Sequence, residues 1–134
     1  MATLKHNQLI GQQGEDAAST WLAKQGYQHQ THNYRAGRHG EIDLVTFHPE
    51  VGILSFVEVK TRHPTHVATG LEALSAGKAQ RLLTAIETYL ADDSHPKPEG
   101  IKGWQVDWVL VTYLPHVPWQ HWPVSLIENV LWAD

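Results

Sequence analysis

The run from Ile53 to Thr61 constrains this chain more than any other stretch: it is almost continuously apolar, yet Glu58 and Lys60 interrupt it. A strand with no wet face belongs in the middle of a sheet, covered on both sides. Side chains alternate along a strand, so Glu58 and Lys60 share a face with Leu54 and Phe56. Taking a charge out of water costs several kcal/mol unless it is paired or holds a metal. The run therefore reads either as a structural Glu–Lys pair or as part of a site.

Upstream, Glu41 to Phe47 reads as a second strand, with Ile42 and Leu44 on one face and Glu41, Asp43 and Val45 on the other. The turn residues His48-Pro49-Glu50-Val51-Gly52 join the two strands as a hairpin. A turn centred on Glu50 and Val51 puts Asp43 opposite Glu58; a shift of two residues puts Glu41 there instead. Like charges facing each other at ~4.5–5.5 Å between Cβ atoms repel. Two carboxylates converging beside Lys60 make sense around a shared hard cation, Mg²⁺ or Mn²⁺, which takes carboxylate, carbonyl and water oxygens. Such a cation polarises a phosphodiester and acidifies bound water. Lys60 on the same face is then suited to orient that water or to neutralise charge in the transition state.

The remaining elements build around this hairpin. His6 to Gln25 has the spacing of a helix, with Ile10, Gly14, Ala17, Ala18, Trp21 and Leu22 as its apolar stripe and Gly26 as its stop. Glu15 falls at the edge of that stripe, and Asp16 on the wet face. Tyr27 to Arg35 is a weak strand, followed by a turn over 36–39. His63 to Gly70 is a loop. Ser75 to Ala91 is a second helix with Ala79, Leu82, Leu83, Ile86, Tyr89 and Leu90 on one face and Lys78 flanking it. Asp92 to Gly103, rich in Pro, Gly and charge, reads as a mobile loop. Trp104 to Tyr113 and Val124 to Leu131 are the last strands. The 134 residues suit one domain, 1–134, of the α/β class.

The net charge of −4 does not favour a nucleic-acid partner, but its distribution does. Six of the ten Lys and Arg residues lie between Arg35 and Arg81, around the hairpin. Arg35, Arg38, Arg62, Lys78 and Arg81 are candidates to line a phosphate groove, Arg35 and Lys78 foremost. No Cys is present, which excludes disulfide and thiol chemistry and fits a reducing cytoplasm. No segment has the apolar length of a signal peptide or a membrane span, so no membrane partner is expected.

Taken in order, Gly14-Glu15, Asn33-Tyr34-Arg35, Gly40-Glu41-Ile42-Asp43-Leu44, Phe56-Val57-Glu58-Val59-Lys60-Thr61-Arg62 and Lys78 resemble the YraN family of bacterial proteins. The resemblance runs from about residue 8 to residue 112. That family is similar to the PD-(D/E)xK nucleases and to archaeal Holliday junction resolvases. The resemblance implies a restriction-endonuclease-like core: a central mixed sheet flanked by helices. It implies a site of Glu15, Asp43, Glu58 and Lys60, with the Val59 carbonyl as a further metal ligand beside Asp43 and Glu58. Two positions depart from the pattern: Ile42 stands where the superfamily motif has Pro, and Gln105 where an Arg is expected before Asp107.

Three functions follow. One is a metal-dependent endonuclease hydrolysing phosphodiester bonds, DNA rather than RNA, with branched or repair intermediates suggested by fold analogy alone. The second is a nucleic-acid-binding module of the same fold with little or no cleavage. The third is an interaction scaffold in which the charged cluster is a structural network. His63 with His66, and His116 with His121, lack a third ligand and read as surface residues. Asp107, interrupting an apolar strand, reads as a structural core acid. Trp119 and Trp122, beside Pro118 and Pro123, are expected to be the most exposed Trp residues. The Trp-rich end could supply core, base stacking or a homodimer contact.

Overall fold

A computed structural model describes residues 2–38, 40–66 and 76–130. The order is α1 (Ala2–Lys24), β1 (Gln28–Arg35), β2 (Glu41–His48), β3 (Ile53–Arg62), α2 (Ala76–Leu90), β4 (Gly103–Thr112) and β5 (Val124–Ile127). The strands form one sheet in the order β1-β2-β3-β4-β5. β3 and β4 are parallel, with α2 in the connection between them, and every other pair is antiparallel. This is the α/β class with a mixed central sheet flanked by helices, and it is consistent with a restriction-endonuclease-like core.

The apolar run over β3 lies in the centre, as its composition requires. Leu54 and Phe56 point to one face, where they meet Leu82, Ala85, Ile86 and Tyr89 of α2. Val57 points to the other and meets Ala17, Ala18 and Leu22 of α1, with Val109 and Val111. Each helix buries its stripe on one side of the same sheet, so both faces of β3 are dry.

Several expectations are corrected. Helix α1 begins at Ala2, not His6. Ile42 and Leu44 do not share a face: Ile42 packs in the α2 cluster with Val45, whereas Leu44 packs in the α1 cluster. The alternation slips at Asp43, across from Asn33, whose φ of 49° is left-handed. Leu90 is exposed and Ala85 takes its place on the buried face. The loop after α2 is tied down rather than mobile. The Tyr34 hydroxyl donates to Asp92 at 2.9 Å, and Lys97 donates to the Asp92 carbonyl at 2.9 Å while its ammonium sits over the Tyr89 ring. Trp122 is buried in the α1 cluster, its indole N–H donating to the Val117 carbonyl, and Trp119 packs beside it. Pro on either side shaped their backbone, not their exposure. β5 ends at Ile127. The expected loop over 67–70, Ser75 of the second helix and Leu131 lie outside the described residues.

Candidate active site

The site residues gather at one end of the sheet. β2 starts there, β3 ends there, and the first turn of α2 stands beside them. The carboxyl end of a parallel strand next to a helix start is the usual place for a ligand in such folds. The hairpin pairs in the expected register, from His48 with Ile53 to Leu44 with Val57. The ladder stops one residue short of Asp43. In place of a cross-strand pair, the Asp43 Oδ2 accepts the N–H of Val59 at 2.8 Å.

That bond brings Asp43 to the mouth of a cavity of about 150 Å³, lined by Glu41, Asp43, Glu58, Lys78 and Arg81 among others. Asp43 and Glu58 thus share one cavity. Glu58 is clamped by two ammonium groups: Lys78 at 2.5 Å and Lys60 at 3.7 Å. Its side chain is only 19% exposed and that of Lys60 13%. Lys60 also stands over the ring of Trp108, 5.1 Å from its centre. Trp108 lies next to Glu58 in the parallel register.

Glu15 approaches from α1, on the other face. One feature of the backbone lets it come close: Gly14 lies so near Thr61 that a Cβ there would sit 1.8 Å from the Thr61 hydroxyl oxygen. On the α2 side, Gly40, with a φ of 119°, lets the β1–β2 turn approach the Arg81 carbonyl, where a Cβ would sit at 3.2 Å. The Glu15 carboxylate is hydrogen-bonded by the Asn33 side chain. Asn33, part of the Asn33-Tyr34-Arg35 motif but given no role by the sequence, contacts the site from a left-handed φ of 49°, which Asn tolerates.

The electrostatics follow from crowding. Burial, then the neighbouring Glu58 and Glu41, push the Asp43 carboxyl up to about 6, against the opposing pull of the Val59 N–H and of Lys78. Burial, then Asp43, Glu41 and Asp16, push Glu15 up to about 7. Burial lowers Lys60, with Glu58 working the other way. Asp43 and Glu15 thus face other carboxylates, whereas Glu58 takes up the two ammonium groups.

The donors present fit a hard cation. Asp43 and Glu58 offer carboxylate oxygens in one cavity, and Val59 is fixed beside Asp43 through its own N–H. Among the described residues, no three His, Asp or Glu side chains form a complete cation site. Mg²⁺ is commonly held by one or two carboxylates, with water and substrate oxygens completing its shell.

The expected basic groove is partly assembled. Lys78 and Arg81 line the cavity. Arg35 pairs with Glu41 at 3.6 Å on its rim. Arg62 borders an opening on the α1 face together with Glu15, Val59 and Thr61. Arg38 is exposed in the β1–β2 turn, at the same end of the sheet. His63 is exposed and contacts Thr65.

A restriction-endonuclease-like core with charged groups at the carboxyl end of its central strand defines the class. Residues 14–111 match the uncharacterised protein family UPF0102, and the chain belongs to that family, the one its motifs resemble. A UPF0102 protein of Chloroherpeton thalassium is 41% identical over 87 residues, 65% of this chain and 65% of the relative. The corresponding protein of Symbiobacterium thermophilum is 42% identical over 90 residues, 66% of this chain and 74% of that one. One from Chloroflexus aurantiacus is 38% identical over 103 residues, 77% and 78% of the two chains. The matched stretch spans 65% of the Chloroherpeton relative and 60% of one from Chlorobium chlorochromatii. No described helix is long and apolar enough to cross a membrane.

Proposed function

We propose that this protein is a divalent-metal-dependent nuclease that hydrolyses phosphodiester bonds in DNA, with branched or repair intermediates as its substrate class. One observation carries the reading: Asp43, Glu58 and Lys78 line one cavity at the carboxyl end of β3, and Lys60 reaches Glu58 from beside it, two acids against two ammonium groups. Asp43, Glu58 and the Val59 carbonyl would hold Mg²⁺ or Mn²⁺. The bound cation supplies charge to the scissile phosphate and acidity to its water.

The protein's own groups divide the rest. Lys60, half-sequestered over Trp108, places an ammonium where charge develops on the phosphoryl oxygens. Lys78 holds the Glu58 carboxylate in place from α2. Glu15, raised to about 7, is poised to take or give a proton near neutral pH. Arg35, Arg38, Arg62 and Arg81 ring this end of the sheet and suit a phosphate backbone. Their position also answers the acidic net charge, because many of the acids lie at the far end, among them Glu50, Asp92, Asp93, Glu99 and Glu128.

A second reading rests on the same clamp. Glu58 neutralised by Lys60 and Lys78 is also what a binding module without cleavage would keep. The two separate in a cleavage assay on linear, single-stranded and four-way-junction DNA with Mg²⁺ or Mn²⁺. A nuclease cuts at least one of these only with metal, and Lys60→Ala abolishes cutting with the fold and most metal affinity intact. A binding module retains DNA in a salt-dependent manner and cuts none. If Lys60 is only a structural partner of Glu58, Lys60→Ala instead lowers stability, though by less than the ~3–5 kcal/mol of a stranded buried charge, because Lys78 still pairs Glu58.

A further inference from the structure

We propose that His29 and His32 form a second metal site, a two-imidazole site for a borderline divalent cation of the zinc class, on the face of β1 that meets α1. Residues three apart on a regular strand point to opposite faces. Here the ladder with β2 breaks between His29 and Thr31: His29 pairs with Thr46, Thr31 with Val45, and His32 with Leu44. Leu44 and Thr46 are two apart on β2 and therefore share a face, so their partners His29 and His32 share it too. The extra residue, Gln30, is a β-bulge, a device that re-aims side chains.

The result is close. His29 Nε2 and His32 Nδ1 are 3.3 Å apart, and the ring centres 5.4 Å apart. Two imidazole nitrogens bound to one tetrahedral zinc at ~2.05 Å each lie ~3.3 Å from one another. The pair already has that separation, and a small rotation of the rings exchanges their mutual contact for a shared ion. Both rings line a cavity of about 230 Å³ whose other wall, from α1, includes Gln12, Glu15, Asp16 and Ser19. Thr46, facing His29, is 3% exposed, and its hydroxyl has no partner among the described residues. The surroundings are thus polar and acidic.

The chemistry of the donors chooses the cation. Imidazole suits zinc, copper and nickel, whereas Mg²⁺ takes oxygen. With two protein nitrogens, the remaining positions fall to water, so the ion would exchange rather than hold up the fold. The site differs in ligand type from the Asp43–Glu58 pair and does not depend on nuclease activity.

The test is a zinc titration of the full chain, read by calorimetry and by imidazole nitrogen shifts in NMR. One equivalent of Zn²⁺ should move the His29 and His32 signals before those of the other histidines. His29→Asn and His32→Asn should each weaken uptake at least tenfold. Millimolar Mg²⁺ should not displace the ion, and Asp43→Asn with Glu58→Gln should leave uptake unchanged. Both histidines are exposed on an edge strand; the Gln variants at the two positions serve as a second set should either Asn variant fail to fold. No stoichiometric uptake, uptake unaffected by all four variants, or first shifts at other histidines overturns the proposal.

Discussion

Asp43 and Asp107 are both carboxylates in the body of the sheet, and the contrast between them separates a working group from a structural one. Asp107, on β4 nearer the far end, is fully buried. It accepts from the Ser55 hydroxyl, from the Gln105 amide at 2.9 Å and from the Asn129 N–H at 2.7 Å. Burial raises its pKa, and those three donors oppose the rise. Asp43 is less buried yet, among the described residues, accepts one protein N–H, and it faces Glu58 and Glu41. A fully donated carboxylate holds structure together. One that faces other carboxylates is left with a need that a cation meets. Gln105, standing where the family pattern has Arg, does part of the structural work, because its amide binds Asp107.

The sharpest way to break this contrast is to remove each acid. Asp43→Asn should abolish metal-dependent cleavage, by about 10³-fold or more, or ≥ ~4 kcal/mol, and leave the metal-free melting temperature unchanged or higher, because a repelled charge is gone. Asp107→Ala should do the reverse. It leaves the Ser55 hydroxyl and the Asn129 N–H without their acceptor, at a cost of about 3–5 kcal/mol. Urea unfolding and a cleavage assay on both variants decide it. An Asp43→Asn variant as unstable as Asp107→Ala would make Asp43 structural.

Much of this contrast was legible before any coordinates. The apolar run over β3 could only be central, and the turn chemistry at His48 to Gly52 marked the hairpin but left two registers open, with Asp43 or Glu41 brought to Glu58 and Lys60. What was not legible came from breaks in regularity. The slip at Asn33 and Asp43 moves Ile42 and Leu44 to opposite faces. The bulge at Gln30 brings His29 and His32 together. Alternation assumes an unbroken pleat, and no propensity marks either break. Trp122 defeats a local reading for another reason: its Pro neighbours say nothing about the distant helix that covers it.

The close approach of α1 to β3 sharpens the contrast further, because it holds Glu15 at the working end. Gly14→Ala should destabilise by about 1–3 kcal/mol, since the added methyl collides with Thr61. Gly11 offers a control on the same helix: a Cβ there meets nothing within 4 Å, so Gly11→Ala should stabilise by ~0.5–1 kcal/mol through helix propensity alone. Thermal melting of the two variants gives shifts of opposite sign. Two shifts of the same sign would show that α1 does not pack on Thr61 as described.

The last expected effect is a pH slope, and its sign belongs to the working end. The carboxyls of Asp43 and Glu15 sit above their unfolded values, at about 6 and about 7. At low pH both states carry the proton and neither group affects stability. As pH rises past about 4 the unfolded chain releases these protons first, so folding is progressively disfavoured until the folded groups ionise too. Metal-free protein should therefore lose stability between about pH 4.5 and 7 and level off above. The loss at Asp43 should be on the order of 1–2 kcal/mol once solvent screening is allowed for. Asp43→Asn should make the slope shallower, and the part from Glu15 and from Asp107, raised by burial as well, should persist. Saturating Mg²⁺ should also flatten it, because the cation favours the ionised carboxylates. A slope of opposite sign, or one that Asp43→Asn leaves untouched, would mean that the carboxylates at this end do not crowd one another.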